Sequence, residues 1–387
     1  MKRFLISVSV LMLTLNVCAQ IDEVLQQIEQ NNFSLQALNH TKDADVLDVK
    51  AENRLQGPSI EYSPFWGVGR AGVAESELVV REEIEFPTKY AARNKQACLT
   101  QAAGHLQLSK LKREVLLEAE LLCLDIIRLN QTLQLLEQRL AGSTALRGIL
   151  EKRMEAGDAN MLELNKVNLD CMEVKTLVCE AENERTLLQH RLQQMNGGKE
   201  IELSATMFPT YEAITDFESF CQLMMTSDAD ILLAETEVKR AAQDVNIQQQ
   251  QWLPNLSLGY RRNTDAGEMT NGFLVGVSFP LLGNSTKVKA AKLRQRSAEL
   301  LAEQTRQERR SLLFSCYQQI ASLQQVLDHS DVTMMHESLE LYSKALLHGE
   351  MTALEYYVEI NSIYDKLMRH IEVHCQCAKL QSILRKR

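Results

Sequence analysis

The chain has 387 residues, of which 45% are hydrophobic, and this composition excludes a disordered protein and allows two domains. Six prolines and 16 glycines are few chain breakers for this length, so we expect long uninterrupted helices and a mainly α protein. The formal net charge of −9, with no basic block that carries aromatic residues, argues against a nucleic-acid partner.

The segment 1–19 has the layout of a secretory signal peptide. Lys2 and Arg3 precede an apolar run of about a dozen residues, which ends in Val17-Cys18-Ala19. We predict cleavage after Ala19. A lipoprotein acylated at Cys18 is the alternative, although Val17 is larger than the residue expected before such a cysteine. No later run reaches the roughly 18 apolar residues of a spanning helix, so we expect an exported chain without a transmembrane helix.

The rest of the sequence repeats one pattern at an offset of about 193 residues. The predicted boundaries are a first repeat over 20–198, a linker over 199–216 and a second repeat over 217–387. Each repeat begins with an amphipathic helical segment that ends just before a proline. These segments and prolines are about Asp22–Gln56 with Pro58, and about Phe217–Trp252 with Pro254.

Segments that alternate with period two follow in both repeats and predict one β-hairpin in each, over 57–87 and 253–282. One set of alternate residues is apolar, apart from Glu82, and the other contains Ser, Asn, Gly, Glu and Arg. The apolar set comprises Ile60, Tyr62, Leu78, Val80, Ile84, Phe86, Leu256, Leu258, Tyr260, Phe273, Val275, Val277 and Phe279. Such alternation suits a wall between lipid and water, and it also suits a hairpin half-buried on helices.

Four strands are too few to close a barrel in a membrane. Outer-membrane barrels have at least about eight strands, and open sheet edges are excluded from lipid. A membrane role therefore requires an oligomer, and a homotrimer would supply twelve strands.

A very long helical pattern follows each hairpin. The first runs from about Thr88 to Ala156, roughly 100 Å at 1.5 Å per residue, and the second from about Lys287 to Leu347. The first carries a heptad seam of Leu122, Ile126, Leu129, Leu133, Leu136 and Leu140. Return helices are predicted over about Asn160–Met195 and about Thr352–Arg385.

The long helices end in two related breaks, RMEAGDANMLE over 153–163 and ALLHGEMTALE over 345–355. At an offset of 192 they share three pairs: Gly157 with Gly349, Leu162 with Leu354, and Glu163 with Glu355. A glycine allows the positive φ of a tight turn between helices, and it also serves as an ordinary helix C-cap. The glutamates lie in the first turn after each break, where a carboxylate favours the helix N-terminus.

No nucleophile with a base, phosphate loop or paired-carboxylate site is evident in the sequence, so we expect no catalytic activity and no cofactor. The nearest approach to a metal site is HIEVHCQC, with His370 and His374 on one helix face and Cys375 and Cys377 nearby. On a terminal helix such residues are more often packing positions. Most cysteines beyond the signal peptide are expected to be small buried apolar residues.

This order of elements resembles the TolC outer-membrane efflux family over essentially the whole chain after the signal peptide. The resemblance rests on the duplicated order of helix, hairpin, long helix, glycine turn and return helix. It also rests on three segments: RLQQMNG from Arg191, LPNLSLGY from Leu253 and VGVSFPLLGN from Val275. It implies a mainly α fold with a small β part. In that fold a homotrimer forms a twelve-stranded β-barrel in the lipid of the outer membrane and an antiparallel coiled-coil tunnel across the periplasm.

The resemblance also implies a function, partners and site residues. The chain would be the passive exit duct of a tripartite pump for drugs or heavy metals, docked to a periplasmic adaptor and an inner-membrane transporter. The adaptor-docking tips carried over by position are Ala156, Gly157, Asp158, Leu347, His348, Gly349 and Glu350, and the pore entrance carries Glu163 and Glu355. Val358 and Met351 depart from the family, where some members have an acidic residue and an arginine.

Two alternatives stay open from the sequence. The exit duct of a type I protein secretion system would share the fold. A periplasmic coiled-coil scaffold, soluble or lipid-anchored, would instead use the hairpins as half-buried packing elements. The duct predicts outer-membrane fractionation and ion conductance, whereas the scaffold predicts extraction without detergent.

Overall fold

The computed structural model describes residues 19–54, 57–68, 72–157, 160–212, 214–265, 268–279 and 284–385, so residues 1–18 of the predicted signal peptide lie outside it. The helices are α1 (19–31), α2 (Phe33–Glu52), α3 (Pro87–Glu155), α4 (Met161–Met195), α5 (Phe217–Ser227), α6 (Ala229–Gln250), α7 (Asn284–Asp328), α8 (Val332–Leu347) and α9 (Ala353–Arg385). The strands are β1 (Ser59–Phe65), β2 (Glu75–Ile84), β3 (Asn255–Asp265) and β4 (Glu268–Ser278). The protein is therefore mainly helical, with a small β part.

The four strands form one antiparallel sheet in the order β1-β2-β3-β4. They fall inside the two segments predicted to form hairpins. The two hairpins are joined by β2 and β3, which pair from Glu75 with Asp265 to Ile84 with Leu256. Strands β1 and β4 are the two edges of this sheet.

Helix α3 is one uninterrupted element of 69 residues, which corresponds to about 100 Å. It begins at Pro87, a residue that suits the first helical position because the N–H there needs no helical partner. Its predicted heptad seam is buried, since Leu122, Ile126, Leu129, Leu133 and Leu136 are each at most 6% exposed. Within the described residues, no helix is both long and apolar enough to cross a membrane.

Three helices predicted to be continuous are interrupted, and each prediction was wrong for the same reason. The segment 22–56 breaks at Asn32, 217–252 breaks at Asp228, and 287–347 breaks at 329–331. At each break a side-chain oxygen caps the next helix. Asn32 Oδ1 accepts from the N–H of Ser34 (3.0 Å), Asp228 Oδ1 from Asp230 (2.9 Å), and Asp331 Oδ1 from Met334 (2.9 Å). Such caps compete with a continuing helix for backbone N–H groups.

The described residues form two compact units. The first contains residues up to Gln36, Leu111–Met224 and the chain from Arg309 onward, and the second contains Ala37–Lys110 and Met225–Glu308. The first unit holds the largest apolar cluster, to which α1, α3, α4, α9 and the segment 199–216 contribute. The second unit contains the sheet.

Inside the first unit, the end of α4 is held against the break between α1 and α2. Asn196 is fully buried, and its Oδ1 accepts a hydrogen bond from Asn31 Nδ2 at 2.9 Å. Gly197 has φ +66°, and a Cβ there would lie 2.7 Å from the carbonyl oxygen of Asn31. Only glycine fits this position, which gives the end of the RLQQMNG segment a structural role.

Candidate functional site: a two-faced sheet and two glycine turns

The sheet has one apolar face, and this face is exposed on the single chain. The register places Ile60, Val80, Tyr260 and Phe273 in one row across all four strands. Phe273 is 93% exposed and Val275 is 76% exposed. Each exposed apolar Å² costs about 25 cal/mol relative to burial, so a contiguous face of this kind marks contact with lipid or with another protein.

The opposite face of the sheet is polar and acidic. Two arginines on it are paired across strands, because Arg81 lies 3.5 Å from Glu61 and Arg261 contacts Glu77. Glu83 accepts hydrogen bonds from Asn255 (3.3 Å) and Ser278 (3.4 Å). Within the described residues, four carboxylates of this face have no cation within ion-pair distance: Glu75, Glu83, Asp265 and Glu268.

Both tryptophans of the chain stand at the ends of the sheet. Trp66 follows β1 at the end where the strands turn, and Trp252 precedes β3 at the end where the helices begin. They are 69% and 63% exposed. Amphipathic aromatic rings favour the headgroup level of a membrane, and outer-membrane strands carry such girdles at both ends of their apolar band. The sequence analysis overlooked this pair, although its positions beside the alternating segments were a visible signal.

The two glycine turns reverse the chain with the same backbone conformation. Gly157 has φ +78° and Gly349 has φ +73°. Each donates its N–H to the carbonyl three residues earlier, Met154 at 3.0 Å and Leu346 at 3.1 Å. A Cβ at either glycine would meet no other atom within 4 Å, so neither turn is covered by the rest of the chain. The glycines are thus required by φ and not by crowding.

The helices that leave the turns are capped differently. Asn160 Oδ1 accepts from the N–H of Leu162 at 3.1 Å, which starts α4. At α9, Thr352 and Glu355 form a reciprocal capping box, with Thr352 N–H donating to Glu355 Oε2 at 2.9 Å and Glu355 N–H donating to Thr352 Oγ1 at 3.3 Å. The hydrogen bond from the Thr352 N–H, followed by that from its hydroxyl, lowers the pKa of the Glu355 carboxyl. Glu355 therefore has a structural role at the start of α9.

The sequence matches no protein-family model and no curated protein. The structure is similar to three solved outer-membrane proteins, each aligned over 95% of this chain. These are VceC from Vibrio cholerae (15% identity, TM-score 0.77, 95% of that chain), the CmeC channel of Campylobacter jejuni (12%, 0.78, 85%) and the open state of the MtrE channel of Neisseria gonorrhoeae (13%, 0.78, 88%). The chain has the fold of the TolC-type outer-membrane channels. The resemblance inferred from the sequence is confirmed for the fold.

In this TolC-type fold the predicted tip residues are exposed around the two turns. Ala156, Gly157, His348, Gly349 and Glu350 are all exposed, and Leu347 is the last residue of α8. Asp158 lies outside the described residues. Glu163 is half-buried in the first turn of α4. The shared leucines of the two breaks are also exposed, Leu162 at 73% and Leu354 at 63%. Sequence alignment of the breaks marked these leucines without indicating that both would be uncovered.

A buried polar cluster near the turns of the TolC-type fold was not predicted. Arg139 on α3 donates to Asp170 on α4 at 2.6 Å and to Asn361 on α9 at 2.9 Å. Both partners of the ion pair are at most 5% exposed, and the Arg139 guanidinium lies 5.3 Å from the centre of the Tyr364 ring. Burial raises the pKa of Tyr364 to about 12. Removing one member of such a pair leaves an uncompensated buried charge, so the cluster joins three helices tightly.

The structure does not assemble the predicted metal candidate. His370 and His374 have ring centres 6.0 Å apart, and His374 packs on Phe208 of the segment 199–216 at 4.8 Å. Cys375 is buried with its Sγ against the carbonyl of Leu124, burial raises its pKa to about 12, and Cys377 is also buried. Burial lowers the pKa of both histidines. Among the described residues, no group of three or more suitable side chains is arranged to hold a metal ion.

Proposed function

We propose that this chain is the outer-membrane channel of a tripartite efflux pump, a passive duct that needs no catalytic site of its own. The observation that carries the proposal is the two-faced sheet, whose apolar face is uncovered and whose two ends carry exposed tryptophans. An apolar outer face, a polar inner face and aromatic girdles are the properties of a barrel wall in the outer membrane. The likeness to VceC, CmeC and MtrE supports the same location.

The sheet edges support a homotrimer. Strands β1 and β4 have open edges in the single chain, and an unpaired edge is not tolerated in lipid. Pairing of β4 of one copy with β1 of the next closes a barrel of twelve strands in a threefold ring. The helices then continue as a tunnel into the periplasm. Equivalent caps at Asn32 and Asp228, at the same offset as Pro58 and Pro254, support the internal repeat.

The two glycine turns are the proposed docking points for a periplasmic adaptor, through which an inner-membrane transporter supplies the energy. Both turns are exposed, have open space above the glycine, and are followed by an exposed leucine. Exposed apolar residues beside open backbone fit a partner that packs closely on the turn. In a trimer this arrangement repeats six times around the periplasmic end.

Membrane insertion and conductance test the channel. The full-length protein, produced with its signal segment, is expected in the outer-membrane fraction as a trimer that dissociates on heating. The purified trimer is expected to conduct ions in planar bilayers. Extraction in soluble form without detergent, together with the absence of a heat-modifiable trimer, would support a periplasmic scaffold and contradict the channel.

Docking is tested best at Ala156, because any side chain at Gly157 or Gly349 is strained by the positive φ. We expect Ala156→Trp to leave trimer and conductance unchanged and to abolish capture of an adaptor by chemical cross-linking in the native host. The matched control is Ala145→Trp, an exposed position in the same helix ten residues earlier. Equal adaptor capture by Ala156→Trp and the unmodified protein would contradict docking at this turn.

A further inference from the structure

The apolar face of the sheet carries two charged residues among the described strand positions, Glu82 on β2 and Arg262 on β3. Arg262 is exposed, and its guanidinium contacts Met269 Sδ. Within the described residues, no carboxylate lies within ion-pair distance of Arg262. Its neighbour Arg261, on the polar face, contacts Glu77, and Arg81 pairs with Glu61. The unpaired cation of the sheet is therefore on the face expected to meet lipid.

Glu82 is too far along the sheet to neutralise Arg262. The register places Glu82 opposite Leu258, and Arg262 is four residues further along β3. At about 3.3 Å per residue this separates the two rows by about 13 Å. The apolar row of Val80, Tyr260 and Phe273 lies between them.

Arg262 belongs to the row that ends the apolar band on the side of the strand turns. This row contains Tyr62, Leu78, Arg262 and Asn271 across the four strands. Tyr260 donates its hydroxyl to Asn271 Oδ1 at 2.6 Å, which leaves the Asn271 amide nitrogen as a donor beside the guanidinium. The next row holds Ser76 and Thr264, and Trp66 lies at the same end of the sheet. Polar side chains and an aromatic residue at this level mark a membrane interface, where a cation is tolerated far better than at the midplane.

We propose that Arg262, with Asn271, binds the phosphate of an anionic lipid headgroup at the outer-leaflet end of the sheet; this rests on the proposed function. A guanidinium presents a planar fork of donors that matches a phosphate, and Arg262 has no carboxylate to occupy that fork. A phosphate-bearing headgroup lies at the depth where the apolar band ends, so lipid supplies the missing anion. In the trimer each protomer contributes one such contact to the lipid ring.

The experiment measures lipid preference on the intact trimer. The full-length protein is reconstituted in phosphatidylcholine bilayers, and spin-labelled phosphatidylglycerol and phosphatidylcholine are compared for association with the protein. We expect the unmodified trimer to prefer the anionic lipid, and Arg262→Gln to lose about fivefold of that preference, the size expected for one surface cation. Arg262→Lys, which keeps the charge without the fork, should give an intermediate value.

The matched control is Arg261→Gln, one residue away on the polar face, which should leave the lipid preference unchanged. Equal loss in Arg261→Gln and Arg262→Gln, or an unchanged preference in Arg262→Gln, would overturn the proposal. Displacement of the anionic lipid by inorganic phosphate at millimolar concentration would also overturn it, because the site would then bind free phosphate. A trimer that conducts ions but shows no anionic preference sinks this inference alone, whereas a protein that does not insert sinks the proposed channel.

Discussion

At the scale of single residues, Gly157 and Gly349 show how one conformational requirement fixes a residue type. Both have positive φ, yet neither has a neighbour that a Cβ would touch. A side chain there is excluded by its own backbone and not by packing. Gly142, in the middle of α3, is different: it is helical and exposed, and a Cβ there also meets open space. These glycines form a matched set that separates backbone strain from the entropic cost of glycine.

We predict opposite effects of the same substitution within this set. Gly157→Ala and Gly349→Ala should each destabilise the local fold by about 1–2 kcal/mol, the cost of the left-handed region for an L residue. Gly142→Ala should stabilise the helix by about 0.5–1 kcal/mol. Thermal unfolding followed by far-UV circular dichroism on the purified protein measures the difference. If all three variants shift the midpoint in the same direction, the positive φ is not what selects glycine at the turns.

At the scale of elements, local patterns predicted what each segment forms but not where a helix pauses. The heptad seam of α3 and the alternation of the strands were visible because burial repeats with a fixed period. The breaks at Asn32, Asp228 and 329–331 interrupt amphipathic patterns without proline or glycine, so periodicity alone passes over them. Each depends on a short polar side chain that captures backbone N–H groups, and Asp and Asn occur inside helices too often for this to be read from one sequence.

Contacts between distant segments were the other part that the sequence did not predict. The ion pair of Arg139 and Asp170 joins α3 to α4, and Asn361 adds α9, across more than 200 residues of chain. Arg262 was likewise counted with the strand and not recognised as a charge on the apolar face. Its unpaired state became visible only once the register showed which carboxylates were near each arginine. Pairings of this kind depend on helix packing and strand register, which no local period encodes.

At the scale of the whole molecule, charge is distributed unevenly along the proposed duct. The polar face of the sheet carries four carboxylates without a cation partner among the described residues, and three of them, Glu75, Asp265 and Glu268, are opposite one another at the turn end. Like charges directly opposite across strands destabilise a sheet, so their retention fits a role in the lumen. At the other end, Glu355 is engaged in a capping box and Glu163 is half-buried.

We therefore expect the sheet end to contribute to ion selectivity in addition to the turns. Replacing Glu75, Asp265 and Glu268 by Gln, Asn and Gln should reduce the cation preference of the trimer, measured as the reversal potential in a salt gradient across a planar bilayer. The salt should stay near 0.1 M, where charges act over about 10 Å. Replacing the Arg81–Glu61 pair by two glutamines is the matched control, because it alters the same face without changing its net charge, and it should leave the reversal potential unchanged. If the triple variant keeps the full cation preference, the polar face does not line the ion path, and the orientation of the sheet proposed here is wrong.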